Sequence, residues 1–141
     1  SADWAAVREV VARANVPVIV NGAIVDTCSA THALSLSQAQ GLTVGRGAIG
    51  APWRVGQISL ALDGKKTQVS SSERLETVLE HYSLLLSYYG NSLGVRTARK
   101  HLKSYVSSLP HPLLKQLLQE DDPKSVLKLI RNTPRELVEN E

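Results

Sequence analysis

The 141-residue chain contains no methionine and only one cysteine, Cys28. A single thiol excludes an internal disulfide and any zinc site built from several cysteines, and we expect a reducing cytoplasm as its compartment. No apolar run approaches the roughly 20 residues that span a bilayer, and no secretory signal precedes the first predicted helix. The lack of an initiator methionine predicts a trimmed or excised piece of a longer protein.

Acidic residues are absent from one long stretch of the chain. Residues 81–119 hold five Lys and Arg and no Asp or Glu, whereas residues 1–80 hold seven basic and seven acidic residues. The formal net charge of +3 therefore arises from one local excess of cations. A basic field of this kind suits a polyanion such as nucleic acid, and an enzyme acting on small molecules has no need of it.

The first half of the chain alternates between helical and extended patterns. Three helices and two short buried strands are predicted. The helices cover residues 3–14 and 28–37 and a segment that opens near Ala48 to Trp53 and runs toward Leu62, and the strands cover residues 16–20 and 41–44. Alternation of this kind indicates parallel strands joined by helical crossovers. Because two buried parallel strands need neighbours on both sides, we expect further strands from upstream residues or from another chain.

The second half is predicted to be entirely helical, after a polar linker that begins at Asp63-Gly64. A helix over residues 73–89 should end at Gly90, and a second should run from residue 92 to 109. Two short helices should begin at Asp122-Pro123 and at Thr133-Pro134. The expected inner face of the first helix comprises Leu75, Val78, Leu79, Tyr82, Leu85, Leu86 and Tyr89.

Both predicted strands end in glycine-containing turns, Asn21-Gly22 and Gly45-Arg46-Gly47. Ligands of β/α proteins bind beyond the carboxyl ends of the strands, where glycine lets backbone N–H groups approach an anion. Arg46 would add a full charge beside a helix predicted to start at Ala48 to Gly50. The spacing alone leaves two interpretations open, a phosphate site or two ordinary turns.

Three motifs in combination resemble the flavin-dependent tRNA-dihydrouridine synthases. They are Val16-Pro17-Val18-Ile19-Val20-Asn21-Gly22, the block from Gly45-Arg46-Gly47 to Pro52-Trp53, and Arg99-Lys100-His101. The bacterial B-type branch is the most similar, because it also carries a pair like Asp3-Trp4 before the first strand. The resemblance extends from Ser1 to about Tyr105.

The resemblance implies an FMN-holding (β/α)₈ barrel followed by a helical domain that binds tRNA. Residues 1–64 would then be the last two β/α units of the barrel, and residues 65–141 the helical bundle domain. FMN, reduced by NADPH, would serve the reduction of uridine to dihydrouridine. The catalytic cysteine of the family belongs to an earlier barrel loop, so this piece alone is expected to be inactive and to need the remaining barrel or a second copy, as in a homodimer. The resemblance assigns six residues to the FMN site: Asn21, Gly22, Ala23, Gly45, Arg46 and Gly47.

The chain departs from the family pattern at two places. The family usually has an acid after Asn-Gly, where this chain has Ala23, and Gly-Ala-Asp where this chain has Gln38-Ala39-Gln40. We expect both departures to change the flavin end of the site.

The helix predicted over residues 92–109 carries a stripe of cations. Arg96, Arg99, Lys100 and Lys103 follow one another at helical spacing, so they share one face, and His101 adjoins it. The stripe is either a solvated face or an RNA-binding face, and the absence of acids favours RNA. Such cations would contact mainly phosphates. The opposite face should pack on the preceding helix through Val95, Ala98, Leu102, Tyr105, Val106 and Leu109.

No catalytic or metal-binding residue is predicted in this chain. Cys28 has no identifiable base beside it and should be buried or half-buried, and the four histidines lack metal-ligand spacing. The leading hypothesis is therefore the C-terminal part of a tRNA-dihydrouridine synthase. One alternative is a stand-alone RNA-binding or assembly module, and another is a different phosphate-binding β/α enzyme, such as a lyase or isomerase.

Overall fold

The computed structural model describes residues 2–66 and 68–138 and divides the chain into two units, Ser1–Gln68 and Val69–Glu141. The first unit follows the predicted order of helices and strands. Its elements are α1 (Trp4–Arg13), β1 (Ile19–Val20), α2 (Thr27–Ser37), β2 (Gly41–Leu42), a 3₁₀ turn (Arg46–Ala48) and α3 (Trp53–Leu62).

The two strands pair in parallel, as the alternating pattern predicted. Ile19 lies opposite Gly41 and Val20 opposite Leu42, and α2 forms the crossover between the strands. Parallel pairing places the carboxyl ends of β1 and β2 at the same edge of the sheet. The loops that follow the two strands therefore emerge side by side.

The strands are shorter and less buried than predicted. Of the predicted strand over residues 16–20, only Ile19 and Val20 pair, and Val20 alone is buried. The side chains of Val16 and Ile19 are 69% and 52% exposed. The physical reason is that β1 and β2 have only each other as partners within residues 2–66, so one edge of each strand meets solvent.

Helix α2 forms the centre of the core in the first unit. Ala30 and Ala33 on this helix are fully buried beside Val20, Ile24 and Ile58. The small alanines let α2 lie close to the strands. The start of α2 is fixed by a capping box, in which the Asp26 carboxylate accepts from the Ser29 backbone N–H and Ser29 reciprocates.

The second unit is helical throughout the part that the structure describes. It comprises α4 (Ser71–Tyr105), α5 (His111–Gln119), α6 (Pro123–Arg131) and a 3₁₀ turn (Arg135–Leu137). A break at Gly90, where φ is 75° and ψ is 170°, divides α4 into α4a (residues 71–89) and α4b (residues 91–105). The predicted stop at Gly90 is thus confirmed, since these angles are open almost only to glycine.

Three predictions for the second unit were wrong. The second helix ends at Tyr105 rather than at residue 109, and α5 follows as a separate helix in the half predicted to be helical. The segment that begins at Thr133-Pro134 forms only a 3₁₀ turn. Tyr89, assigned to the inner face of α4a, is 44% exposed because the helix ends directly after it.

The two halves of α4 approach each other at Gly94. A Cβ placed at Gly94 would lie 2.9 Å from both the Leu85 carbonyl oxygen and the Leu86 Cα. The backbones are therefore in contact at this level, and only a residue without a side chain fits. The predicted packing face of α4b is buried from Val95 to Tyr105 and continues through Val106 and Leu109.

Substitution of Gly94 by alanine should destabilise the protein by about 1–3 kcal/mol, because two backbone segments must move apart. Gly56 is the matched control, since it also lies in a helix but has open space at the Cβ position. Gly56→Ala should stabilise by about 0.5–1 kcal/mol. Urea denaturation measures both changes, and equal midpoints for the two variants would contradict the close approach at Gly94.

Candidate anion cleft and basic helix face

The loops after β1 and β2 enclose a cleft of 580 Å³. All six residues that the resemblance assigned to the FMN site line this cleft, together with three that it did not. The lining residues are Asn21, Gly22, Ala23, Ile24, Val25, Gly45, Arg46, Gly47 and Arg54.

The first loop is held in a left-handed conformation. Gly22 and Ala23 have φ values of 108° and 53°, and the second value is uncommon for a residue with a side chain. The Trp4 indole N–H donates to the Gly22 carbonyl oxygen at 2.9 Å, and the Asn21 side-chain oxygen accepts from the Gly22 N–H. The Asp3-Trp4 pair therefore has two separate structural roles, since the Asp3 carboxylate caps α1.

The second loop touches the first through Gly47. A Cβ on Gly47 would lie 2.3 Å from the Ile24 carbonyl oxygen and 3.1 Å from the Val25 Cα, which no side chain could tolerate. The glycine is thus required by the close packing of the two loops.

Two arginines supply the charge of the cleft. Arg46 is exposed, whereas Arg54 is half-buried and donates from Nη1 to the Gly47 carbonyl oxygen at 3.1 Å. The charge of Arg54 also reaches Asp26, whose carboxyl pKa is lowered mainly by its hydrogen bonds from Ser29 and further by Arg54. Sequence reasoning missed Arg54, although a cation one residue after Pro52-Trp53 was the available signal.

The helix predicted to open near Ala48 to Trp53 begins at Trp53, the last of these positions. Residues Arg46–Ala48 form a 3₁₀ turn, and Pro52 precedes α3 without any side-chain cap. The start at Ala48 to Gly50 that the phosphate interpretation used was wrong, because glycine at position 50 adopts a φ of 82° and interrupts the chain between the turn and the helix.

Only one of the two departures from the family pattern lies at the cleft. Ala23 lines it, whereas Gln40 lies at the opposite, amino end of β2, where its side-chain oxygen accepts from the Val18 backbone N–H at 2.8 Å. Gln38 ends α2 in the left-handed conformation, with a φ of 57°. Gln38 and Gln40 therefore lie away from the cleft, and Ala23 is the departure that reaches it.

The predicted basic face is present on α4b, but its four cations are not equivalent. Arg96, Lys100 and Lys103 are exposed, whereas the Arg99 side chain is 33% exposed and its Nη2 pairs with the Asp121 carboxylate at 2.5 Å. Arg99 also donates to the Glu120 carbonyl oxygen at 3.3 Å. This pair could not be predicted, because the two partners lie 22 positions apart.

His101 belongs to a cluster of rings between α4a and α4b. Its ring centroid lies 4.8 Å from that of His81, and His81 Nδ1 shares a hydrogen bond of 2.9 Å with the Tyr105 hydroxyl. Burial lowers the pKa of both imidazoles, with further contributions from the neighbouring His101 for His81 and from Lys100 for His101. Burial also raises the pKa of Tyr105 to about 12.

The remaining candidate residues form no chemical site in the part of the chain that the structure describes. Cys28 is exposed at the start of α2, which contradicts the expected burial, and it does not line the cleft. Among the described residues no three His, Cys, Asp or Glu side chains gather in a way that could bind a metal ion. No described helix has the length and apolarity needed to cross a membrane.

Parallel strands joined by a helix, with glycine loops at their carboxyl ends, define the first unit as a β/α fold. Comparison with known proteins makes the assignment more specific. The family model described as Dihydrouridine synthase (Dus) matches residues 1–137. The chain therefore belongs to the dihydrouridine synthase family, as the motifs indicated.

Three curated relatives show the extent of the similarity. A probable tRNA-dihydrouridine synthase of Rhodobacter capsulatus is 48% identical over 94% of this chain and 41% of its own length. One of Rickettsia conorii is 45% identical over 79% of this chain and 34% of its own length. The tRNA-dihydrouridine synthase B of Pasteurella multocida is 31% identical over 89% of this chain and 39% of its own length. The chain thus spans between about a third and two fifths of the length of these relatives.

The lowered pKa of His81 and His101 predicts a loss of stability in acid. The unfolded chain takes up these protons more readily, so the stability is fully present above the ordinary pKa of 6.5 and decreases as the pH falls below it. The melting temperature should be lower at pH 5.5 than at pH 7.5. The His81→Asn variant should show a smaller difference between its two melting temperatures. His111→Asn, at an exposed position, is the control. An unchanged difference in the His81 variant would contradict the role of the cluster.

Proposed function

We propose that this chain forms the carboxyl-terminal share of a tRNA-dihydrouridine synthase, holding the phosphate of FMN in the cleft and tRNA on the basic face. The observation that supports the proposal most is that Asn21 to Ala23 and Gly45 to Gly47, distant in sequence, line one cleft with two arginines. The proposal also agrees with the names of the relatives, which are tRNA-dihydrouridine synthases.

The cleft has the chemistry expected for a phosphate monoester. Two guanidinium groups, Arg46 and Arg54, can form charge-assisted hydrogen bonds to phosphate oxygens, and Gly47 lets the two loops that line the cleft pack against each other. The carbonyl bond to Gly47 fixes the orientation of Arg54 before any ligand binds. Bound FMN, with NADPH as reductant, would supply the hydride that converts uridine to dihydrouridine.

The residues of this chain would bind and orient rather than react. Gly22, Gly45 and Gly47 would shape the loops, and the two arginines would hold the phosphate end of the cofactor. No residue here is assigned as the proton donor, because the resemblance places the catalytic cysteine in another loop of the barrel. The substrate RNA would be held by phosphate contacts to Arg96, Lys100 and Lys103, with Arg99 and His101 beside them.

We infer further that the first unit is the last pair of β/α units in a (β/α)₈ barrel, as the family resemblance implies. The small sheet leaves apolar surface exposed. Val16 and Ile19 are exposed beside β1, and a groove of 460 Å³ is lined by residues of β2 and α3. Neighbouring strands would cover both edges. The groove is lined by Leu42, Thr43, Val44, Val55, Ile58, Ser59 and Leu62.

The phosphate role of the cleft predicts that the chain binds FMN but not riboflavin, which lacks the phosphate. Inorganic phosphate should shift the backbone amide resonances of Gly45, Arg46 and Gly47, and Arg46→Gln should weaken FMN binding by about tenfold or more. Arg135→Gln, at an exposed position in the second unit, is the control. Equal binding of riboflavin and FMN would contradict the proposed site. Failure to bind FMN together with retained tRNA binding would favour an RNA-binding module without flavin chemistry.

The RNA role of α4b predicts strongly salt-dependent binding of tRNA. Arg96→Gln and Lys100→Gln should each reduce the slope of log K against log salt by about one, because each removes one phosphate contact. Lys124→Gln, on α6, removes the same charge elsewhere and should leave the slope nearly unchanged. Absence of tRNA binding at low salt would contradict the proposal. If a sugar phosphate then raised the melting temperature, a lyase or isomerase would be favoured.

A further inference from the structure

Four large apolar side chains are exposed together where α4a turns into α4b. Tyr88 is 82% exposed and Leu84 60%, while Leu93 and Tyr89 are 47% and 44% exposed. We call these four residues the corner patch. Every residue from position 87 to 93 is exposed, so the corner projects into solvent around Gly90. Single exposed apolar residues need no explanation, but four of them within residues 84–93 do.

The two tyrosines of the corner patch form an ordered pair. Their ring centroids lie 4.8 Å apart and their planes are inclined by 82°, an edge-to-face contact that limits the freedom of both rings. Neither ring contributes to the buried core of the second unit. The pair therefore presents aromatic surface to solvent in a fixed orientation, and binding a flat partner would cost little conformational entropy.

The corner patch continues directly into the basic face. Leu93, Arg96, Lys100 and Lys103 follow one another along the exposed side of α4b, over about 15 Å at 1.5 Å per residue. A nucleic-acid strand presents several phosphates over such a length. No acid occurs between residues 81 and 119, so nothing in this stretch would repel a polyanion from the corner.

We propose that the corner patch is a stacking site for an unpaired base of the RNA whose phosphates bind the basic face. Aromatic side chains beside a cationic track are the combination by which proteins hold single-stranded nucleic acid, since every base has a π-face. The occupant is thus an unpaired nucleotide rather than a duplex, whose bases are already stacked. The site presupposes the RNA binding proposed above and adds a preference for unpaired segments.

The test compares two probes, an unmodified tRNA transcript and a blunt RNA duplex without unpaired nucleotides, by fluorescence anisotropy with the full chain. Tyr88→Ala should weaken tRNA binding by about tenfold and leave the salt slope unchanged, because no phosphate contact is lost. Its binding of the duplex should change less than twofold. Tyr88→Phe should bind tRNA like the parent chain. Leu113→Ala, similarly exposed on α5, is the control.

A second variant reports stacking directly. Tyr88→Trp should bind tRNA at least as tightly as the parent chain, and its added indole fluorescence should be quenched by tRNA and not by the duplex. Because Tyr88 is 82% exposed, these substitutions should leave the fold unchanged, which circular dichroism checks.

Three results would overturn the stacking site while leaving RNA binding intact. They are equal tRNA affinity of Tyr88→Ala and the parent chain, equal losses on tRNA and duplex, and a parent chain that sediments as a dimer and becomes monomeric in Tyr88→Ala. The last result would make the corner patch a contact between copies of the chain. If the parent chain bound no tRNA at low salt, both the stacking site and the proposed RNA function would fail.

Discussion

Parallel pairing of Val20 with Leu42 brings the ends of two strands to one edge, and the geometry of the cleft depends on it. The pairing sets the two loops side by side, and Gly47 then lets them touch, because its missing Cβ would lie 2.3 Å from the Ile24 carbonyl oxygen. The same contact fixes Arg54, which donates to the carbonyl oxygen of Gly47. The register of the two strands, the packing of their loops and the position of the Arg54 charge therefore depend on one another.

Much of this arrangement could be predicted from the sequence, because the signals were local. Periodic apolar residues and glycine stops indicated the order of helices and strands, and Gly90 ended a helix where expected. The six cleft residues were assigned by resemblance, and the structure brings them together. Helix α5 lies in the half predicted to be helical, but the sequence analysis assigned it no bounds of its own. The burial of the strands was overestimated because β1 and β2 have only each other as partners within residues 2–66.

What could not be predicted depends on residues distant in sequence. The pair of Arg99 with Asp121 joins an apparently acid-free stretch to the acids that follow it, so a count of charges by segment overstated the free cations of α4b. The ring cluster of His81, His101 and Tyr105 likewise requires the reversal of the chain at Gly90. Arg54 lines the cleft because α3 begins only at Trp53, after the 3₁₀ turn, which places Arg54 in the first turn of the helix.

The close approach at Gly94 also bears on how quickly the second unit can fold. Gly94 and Leu85 are nine positions apart, so closing the loop between them costs little chain entropy. By contrast, the hydrogen bond from the Tyr82 hydroxyl to the Pro123 carbonyl oxygen joins residues 41 positions apart. Because proteins rich in local contacts fold faster than those built from distant ones, α4a and α4b can pair before α6 docks. On a ribosome, this hairpin could form while the residues of α6 were still being synthesised.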